Sequence, residues 1–257
     1  MRELSKAREL IRSLAERDLR VRYKQATLGM AWTLLNPIIL LVAFTIIFEH
    51  AAHIKTGHVP YPLFAYVGLL PWTFFSEAVS MGSQSIVAEK SLLNKVQFPR
   101  EVFVVAKVAV AGADLVMATA ALVVLFGIET FAPRPTSYWL LVCIPIMIAF
   151  AAGVALAFSA LVVYFRDMSQ LVPVLLQLGL FGTPVAYSFS LIPRSLQPLY
   201  AIINPLGPVI DCLRQSVLYG VAPMPLPLVV AAFSAAAYLC GGYVLFKRME
   251  MGFADIA

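Results

Sequence analysis

Residues 138–165 read YWLLVCIPIMIAFAAGVALAFSALVVYF, from Tyr138 to Phe165, without a single Lys, Arg, Asp or Glu. A helix rising about 1.5 Å per residue needs roughly 20 such residues to cross the hydrocarbon core of a bilayer, so this stretch is long enough to span one. The remainder of the chain repeats the pattern. Its composition is 61% hydrophobic with 13% charged residues and a mean hydropathy of +0.85. A soluble domain carries roughly 45–50% apolar residues, and the excess here lies in span-length blocks rather than alternating with polar residues. Lipid is therefore the expected solvent, and the fold class is an all-α membrane protein.

Outward from that segment, five more apolar blocks are legible. The first runs from Gly29 to Phe48 and is interrupted by Asn36-Pro37, where the missing backbone donor predicts a kink. The second, Leu63 to Ile86, has a polar last third, Ser76 to Ser85, that must face protein or water. The third covers Val102 to Ile128, the fifth Leu171 to Tyr187 and the sixth Leu226 to Phe246. Between the fifth and sixth, residues 188–225 are Pro-rich and too broken to cross as one helix, and they read as two short re-entrant helices in the outer leaflet. Residues 87–101 form a charged connection between spans two and three.

Before the first span, Leu4, Ala7, Leu10, Ile11, Leu14, Ala15 and Leu19 fall at helical spacing opposite Arg8, Arg12, Glu16, Arg17 and Arg20. Residues 1–28 thus predict a basic amphipathic helix lying along the membrane surface, with the six-span domain filling 29–257. The N-terminus is too charged, and lacks the apolar core, to be a cleavable signal peptide. Of nineteen Lys and Arg, all but Lys55, Arg134, Arg194 and Arg214 fall on the side that holds both termini. That bias places both ends in the cytoplasm. The net charge of +5 is explained by this flanking pattern and by anionic headgroups, and nucleic acid is not an expected partner.

Few residues offer chemistry. No Gly-x-x-x-x-Gly-Lys-Ser/Thr loop is present to cradle ATP phosphates, so ATP-driven work requires another polypeptide. His50, His53 and His58 cluster in one loop, but their spacing fits no zinc arrangement, and they read as polar loop residues. Cys143, Cys212 and Cys240 are far apart in sequence and read as packing residues, with neither a disulfide framework nor a metal site. Paired carboxylates, or a histidine with a nucleophile, are not evident, so an enzyme is not expected. Asp114, mid-span, carries an insertion cost of about 2.5–3.5 kcal/mol and needs either a structural hydrogen bond to a neighbouring span or a wet conduction path. Glu49, Glu77 and Lys107 are more peripheral, which disfavours a proton relay.

Several stretches carry a family resemblance. They are Arg17-Asp18-Leu19-Arg20-Val21-Arg22-Tyr23-Lys24-Gln25 through Leu28-Gly29, Trp32 and Asn36-Pro37, and Pro60-Tyr61-Pro62-Leu63-Phe64 through Gly68-Leu69-Leu70-Pro71-Trp72-Thr73-Phe74-Phe75. Asn94-Lys95-Val96-Gln97-Phe98-Pro99-Arg100-Glu101, Tyr164-Phe165-Arg166-Asp167, Thr183-Pro184-Val185 and Asn204-Pro205 follow in order. Together they resemble the membrane (permease) subunits of polysaccharide ABC exporters of the type-2 class, which handle lipid-linked O antigens, teichoic acids, capsules and galactans.

The resemblance implies a bacterial inner-membrane permease that works as a homodimer, docked on two copies of a cytoplasmic ABC ATPase. It implies no cofactor on this chain, with ATP and magnesium held by the partner. The cargo implied is a polyprenyl-pyrophosphate-linked polysaccharide passing between the two copies. The helix before Tyr23 becomes an interface and gate helix, and Glu89, Lys90, Lys95, Phe98, Pro99, Arg100 and Glu101 supply a coupling segment resting on the ATPase. Arg17, Arg20, Arg22 and Lys24 lie where an anionic pyrophosphate headgroup would sit, although positive-inside topology accounts for the same charges. Trp32, Phe44, Phe48, Phe181 and Tyr187 are candidate channel-lining aromatics for sugar stacking, alongside Asp114. A multidrug or small-lipid exporter, or a membrane enzyme acting on polyprenyl-linked sugars, are the alternative functions.

Overall fold

The computed structural model of the chain describes residues 2–24, 31–51, 53, 56–90 and 99–253. Every regular element among them is helical. The α-helices are α1 (Arg2–Lys24), α2 (Ala31–Phe44), α3 (Tyr61–Ala88), α4 (Glu101–Ile128), α5 (Leu140–Tyr164), α6 (Met168–Gly182), α7 (Gln197–Ile203), α8 (Leu206–Arg214) and α9 (Pro225–Glu250). Wider π-turns extend α2 over Thr45–Ala51 and α8 over Gln215–Tyr219.

Four helical segments are long and apolar enough to cross a membrane: Tyr61–Ala88, Glu101–Ile128, Pro135–Tyr164 and Pro225–Glu250. Two further apolar helices stand at the expected first and fifth spans but are shorter, Leu35–His50 and Met168–Gly182. The fifth ends at Gly182 rather than at Tyr187. Thr183 precedes Pro184 and is extended (ψ 139°), because the proline ring disfavours a helical conformation in the residue before it.

The bundle is organised around α3. Some 78% of its most apolar window is buried inside the protein, against 28–44% for the other three long helices. That difference sorts the solvents: α3 is packed by its neighbours, while α4, α5 and α9 each turn a broad apolar face outward, as a lipid-exposed helix does. Its polar last third faces protein in part. Ser83 and Ser85 are fully buried, and their hydroxyls donate back to Ser80 O (2.9 Å) and Gly82 O (2.7 Å). Tyr61 and Tyr66 bring their hydroxyls into the apolar interior by donating to Ala186 O (3.0 Å) and Ala118 O (3.1 Å).

Helices α5 and α9 cross backbone to backbone. A Cβ added at Gly242 would stand 2.0 Å from Gly153 O, and one at Gly153 would stand 2.4 Å from Tyr238 C. Only glycine permits this approach, which replaces side-chain interdigitation with direct main-chain packing. Phe150 consolidates the crossing, its ring edge-on to Tyr238 at 4.9 Å and stacked on Phe75 at 4.8 Å.

The Pro-rich stretch 188–225 contains the two short helices α7 and α8, joined at Asn204-Pro205. Gly220, at φ +73°, closes the π-turn extension of α8, a left-handed position that glycine adopts without steric cost. His58 packs between the rings of Phe131 (6.3 Å) and Tyr219 (5.6 Å), giving that loop histidine a place in the packing.

Candidate functional site

Helix α1 lies against α4. Its apolar face buries Leu14 and rests Leu10 and Ile11 on the core, while Arg12 and Glu16 pair at 2.7 Å one turn apart on the exposed face. Towards its end, polar residues reach inward. Lys107 on α4 donates to Asp18 (2.6 Å). Arg22 and Tyr23 both donate to Asp114, one to each carboxylate oxygen.

Asp114 is only 2% exposed, so its charge needs a partner. Arg22 and Tyr23 supply donors from α1, and Glu77 of the neighbouring span α3 shares a side-chain hydrogen bond with it. Asp114 also lines a cavity of about 90 Å³ and mixed polarity with Asn36, Pro37, Trp72, Ser76 and Glu77. The kink-forming pair Asn36-Pro37, the polar third of α3 and the mid-span acid of α4 thereby converge on one point.

The charged connection 87–101 is fastened at both of its described ends. At one end, Arg17 donates to Glu89 as well as to Asp18 (3.0 Å). The hydrogen bond to Glu89, opposed by partial burial, holds the Arg17 pKa above its ordinary value, so the guanidinium stays charged. At the other end, Arg100 Nη1 donates to Glu250 O (2.7 Å) and its backbone N–H reaches Glu250 Oε1 (3.4 Å). Lys247 bridges Glu101 (2.7 Å) and Glu250 (2.8 Å), and Arg100 lies 5.7 Å over the buried Phe253 ring. Pro99 opens the turn into α4, its carbonyl accepting from Val102 N (3.2 Å). Lys90 lines an open cavity of about 300 Å³ with Gln84, Arg166 and Ser169. Lys95 and Phe98 lie outside the described residues.

A second polar centre forms where α6 stops. Arg214 at the end of α8 is 2% exposed, and its guanidinium donates to four carbonyls: Phe64 (3.0 Å), Pro184 (2.8 Å), Tyr187 (2.9 Å) and Val185. It stacks 3.6 Å from the Phe64 ring. A cation counted among those on the outer side is thus enclosed by backbone, where the prolines that break the chain leave carbonyls unclaimed. Gly68 makes room, since a Cβ there would meet Arg214 Nη2 at 2.4 Å.

Beside it, the two sequence landmarks Thr183-Pro184-Val185 and Asn204-Pro205 meet. Asn204 Nδ2 donates to Thr183 Oγ1 (2.8 Å), Thr183 Oγ1 donates to Gly179 O (2.8 Å), and Tyr200 OH donates to Gly182 O (2.7 Å). This network and the Arg214 clamp escaped the reading of the sequence. An arginine inside a Pro-rich apolar stretch was the available signal, because such a charge has to be satisfied by backbone or an acid.

The remaining candidates divide. Arg17, Arg20 and Arg22 are all exposed, and Arg17 and Arg22 are already paired. The side chains of Lys24 and Trp32 lie outside the description. Phe44 is buried and meets Phe48 edge-on at 5.6 Å. Phe181 is 64% exposed, and Tyr187, half-buried, donates to its carbonyl (3.2 Å). Phe44 and Phe48 thus pair ring to ring at the end of α2, whereas Phe181 and Tyr187 are linked through a main-chain carbonyl.

Residues 9–218 match the model of the ABC-2 type transporter membrane family, and the chain belongs to that family. Its relatives are permease subunits rather than enzymes. It is 30% identical to the O-antigen export system permease protein RfbA of Myxococcus xanthus, over 99% of this chain and 98% of that one. It is 26% identical to the RfbA permease of Klebsiella pneumoniae, covering 96% and 95%. It is 23% identical to the polysialic acid transport protein KpsM of Escherichia coli, covering 93% of each.

Proposed function

We propose that the chain is the membrane subunit of an ATP-driven exporter that moves lipid-linked polysaccharide out of the cytoplasm across the bacterial inner membrane. The observation that carries this reading is its end-to-end similarity to O-antigen export permeases. In this reading two copies form the transporter, with six spans each, both termini in the cytoplasm and the channel between them. The short α2 and α6 complete the spans, and α7 and α8 dip into the outer leaflet. Two cytoplasmic ATPase subunits hold ATP and magnesium.

The polar contacts support a route for coupling. ATP-driven closure of the partners presses on residues 87–101, and the force enters the permease through Glu89–Arg17 and through Arg100/Glu101–Lys247/Glu250. The cargo's pyrophosphate competes with Asp114 for Arg22 and draws on Arg20 and Lys24 nearby. Loading therefore loosens α1 from α4, and the two packings differ by which anion Arg22 holds. The exposed Phe181 and neighbouring Tyr187 provide apolar faces on which sugar rings slide.

The test is reconstitution with the cognate ATPase in proteoliposomes. Hydrolysis is expected to rise on addition of polyprenyl-pyrophosphate-linked polysaccharide and not with small amphiphilic drugs. The double variant Arg20→Gln/Arg22→Gln is expected to lose that stimulation while basal hydrolysis persists. Stimulation by drugs but not by polymer would replace this function with small-molecule export, and equal loss of basal and stimulated hydrolysis would reject the headgroup role.

A further inference from the structure

Cys143 and Cys212 are 69 residues apart in sequence, yet the Cys143 thiol points at the Cys212 sulfur at 2.9 Å. Both are free and 1% exposed. Cys143 sits in the first turn of α5 and Cys212 in the last turn of α8, so the pair bridges a long helix and the broken segment beyond α6. The two sulfurs are about 1 Å beyond the bonding distance of a disulfide. An apolar cavity of about 220 Å³ adjoins them, lined by Cys143 itself with Leu122, Leu140, Met147, Val209 and Leu213. A small apolar reagent dissolved in the membrane has a site beside the thiols, whereas a charged oxidant does not.

We propose that Cys143 and Cys212 form a redox-sensitive latch, closed to a disulfide by a membrane-permeant small-molecule disulfide and reopened by thiols. One cysteine thiol attacks a sulfur of the reagent as its proton passes to the departing reagent sulfur, breaking the reagent's S–S bond and releasing the first reagent thiol. The second cysteine thiol then displaces the other reagent sulfur from the mixed disulfide in the same way. One S–S bond forms in the protein, one is lost from the reagent, and both protein protons leave on the two released thiols. The closed latch staples α8 to α5. Its effect on transport rests on the proposed export function, in which α7 and α8 dip into the outer leaflet.

The test uses the full chain carrying Cys240→Ser, which removes the exposed third thiol, in native membranes with its ATPase. Membranes are treated with 2,2′-dipyridyl disulfide, denatured, and labelled with polyethylene-glycol maleimide. Both thiols are expected to be labelled before oxidation and neither after it, with recovery by dithiothreitol and a Cys143–Cys212 cross-linked peptide by mass spectrometry. Adding Cys143→Ser leaves the remaining thiol without a bonding partner, and no cross-link should form. Loss of labelling without the cross-linked peptide, or retention of both labels, would overturn the pairing.

Polymer-stimulated hydrolysis is expected to fall several-fold on oxidation, to recover on reduction, and to be unaffected by oxidation in the Cys143→Ser variant. A formed disulfide with unchanged stimulated hydrolysis would overturn the latch. The thiol count is independent of cargo, so failure of the export reading, seen as no polymer stimulation in the reduced protein, is distinguishable from failure of the pairing.

Discussion

Arg22 and Asp114 stand 92 positions apart and form an ion pair that fastens the end of α1 to the middle of α4. The acid is almost wholly buried while the arginine side chain keeps 40% of its exposure. The pair is therefore asymmetric: Asp114 depends on Arg22 far more than Arg22 depends on Asp114. Removing the cation strands a buried charge, whereas removing the acid returns an arginine to water.

That asymmetry predicts unequal mutational costs. Arg22→Gln should destabilise the detergent-solubilised protein by about 2–3 kcal/mol, and Asp114→Asn by about 1 kcal/mol, with the double variant closer to Asp114→Asn than to the sum. Thermal unfolding of the three variants checks this. Equal costs for the two single variants would mean that the pair is not formed in the solubilised protein.

The Arg17–Glu89 contact links α1 to the start of the charged connection. Glu89→Lys should lower ATPase stimulation several-fold with little change in melting temperature, since exposed pairs contribute only about 0–1 kcal/mol to stability. Combining it with Arg17→Glu restores opposite charges and should recover most of the stimulation. Hydrolysis assays on the purified complex provide the measurement, and absence of recovery would locate the effect of Glu89 elsewhere.

Arg214 satisfies four carbonyls with a planar fork. Lys has a single ammonium group and cannot reach all of them, so Arg214→Lys should cost about 2–4 kcal/mol despite keeping the charge. Gly68→Ala, which pushes a methyl into the guanidinium, should share the phenotype in weaker form. Monodispersity after detergent extraction and melting temperature are the readouts.

Adjacent glycines in α9 provide an internal control. Gly242→Ala drives a methyl into the backbone of Gly153 and should cost about 2–3 kcal/mol. At Gly241 an added Cβ meets nothing within 4 Å, and Gly241→Ala should leave stability unchanged or raise it by up to about 1 kcal/mol through helix propensity. Similar melting temperatures for the two variants would contradict the close crossing of α5 and α9.

The four long apolar spans were legible because lipid imposes length and hydropathy on the sequence directly, as Tyr138–Phe165 illustrates. What hydropathy does not encode is partnership. Asp114 announced that it needed a donor, but nothing local identified Arg22 and Tyr23, which come from a helix read as lying on the surface. Arg214 looked like one more flanking cation, because burial by four backbone carbonyls depends on how a Pro-broken stretch folds back onto α3. The cysteines were distant in sequence, and only the seating of α8 against α5 joins Cys143 to Cys212. The end of α6 was misplaced by five residues for a local reason, the constraint that Pro184 puts on Thr183.

The glycine seam between α5 and α9 has a mechanical consequence. With main chain against main chain, neither helix can slide without breaking many contacts at once, so the two form a stiff lever. One end of that lever carries Lys247 and Glu250, which grip Arg100 and Glu101. In the proposed coupling route, a push delivered there enters the stiffest pair of helices in the subunit.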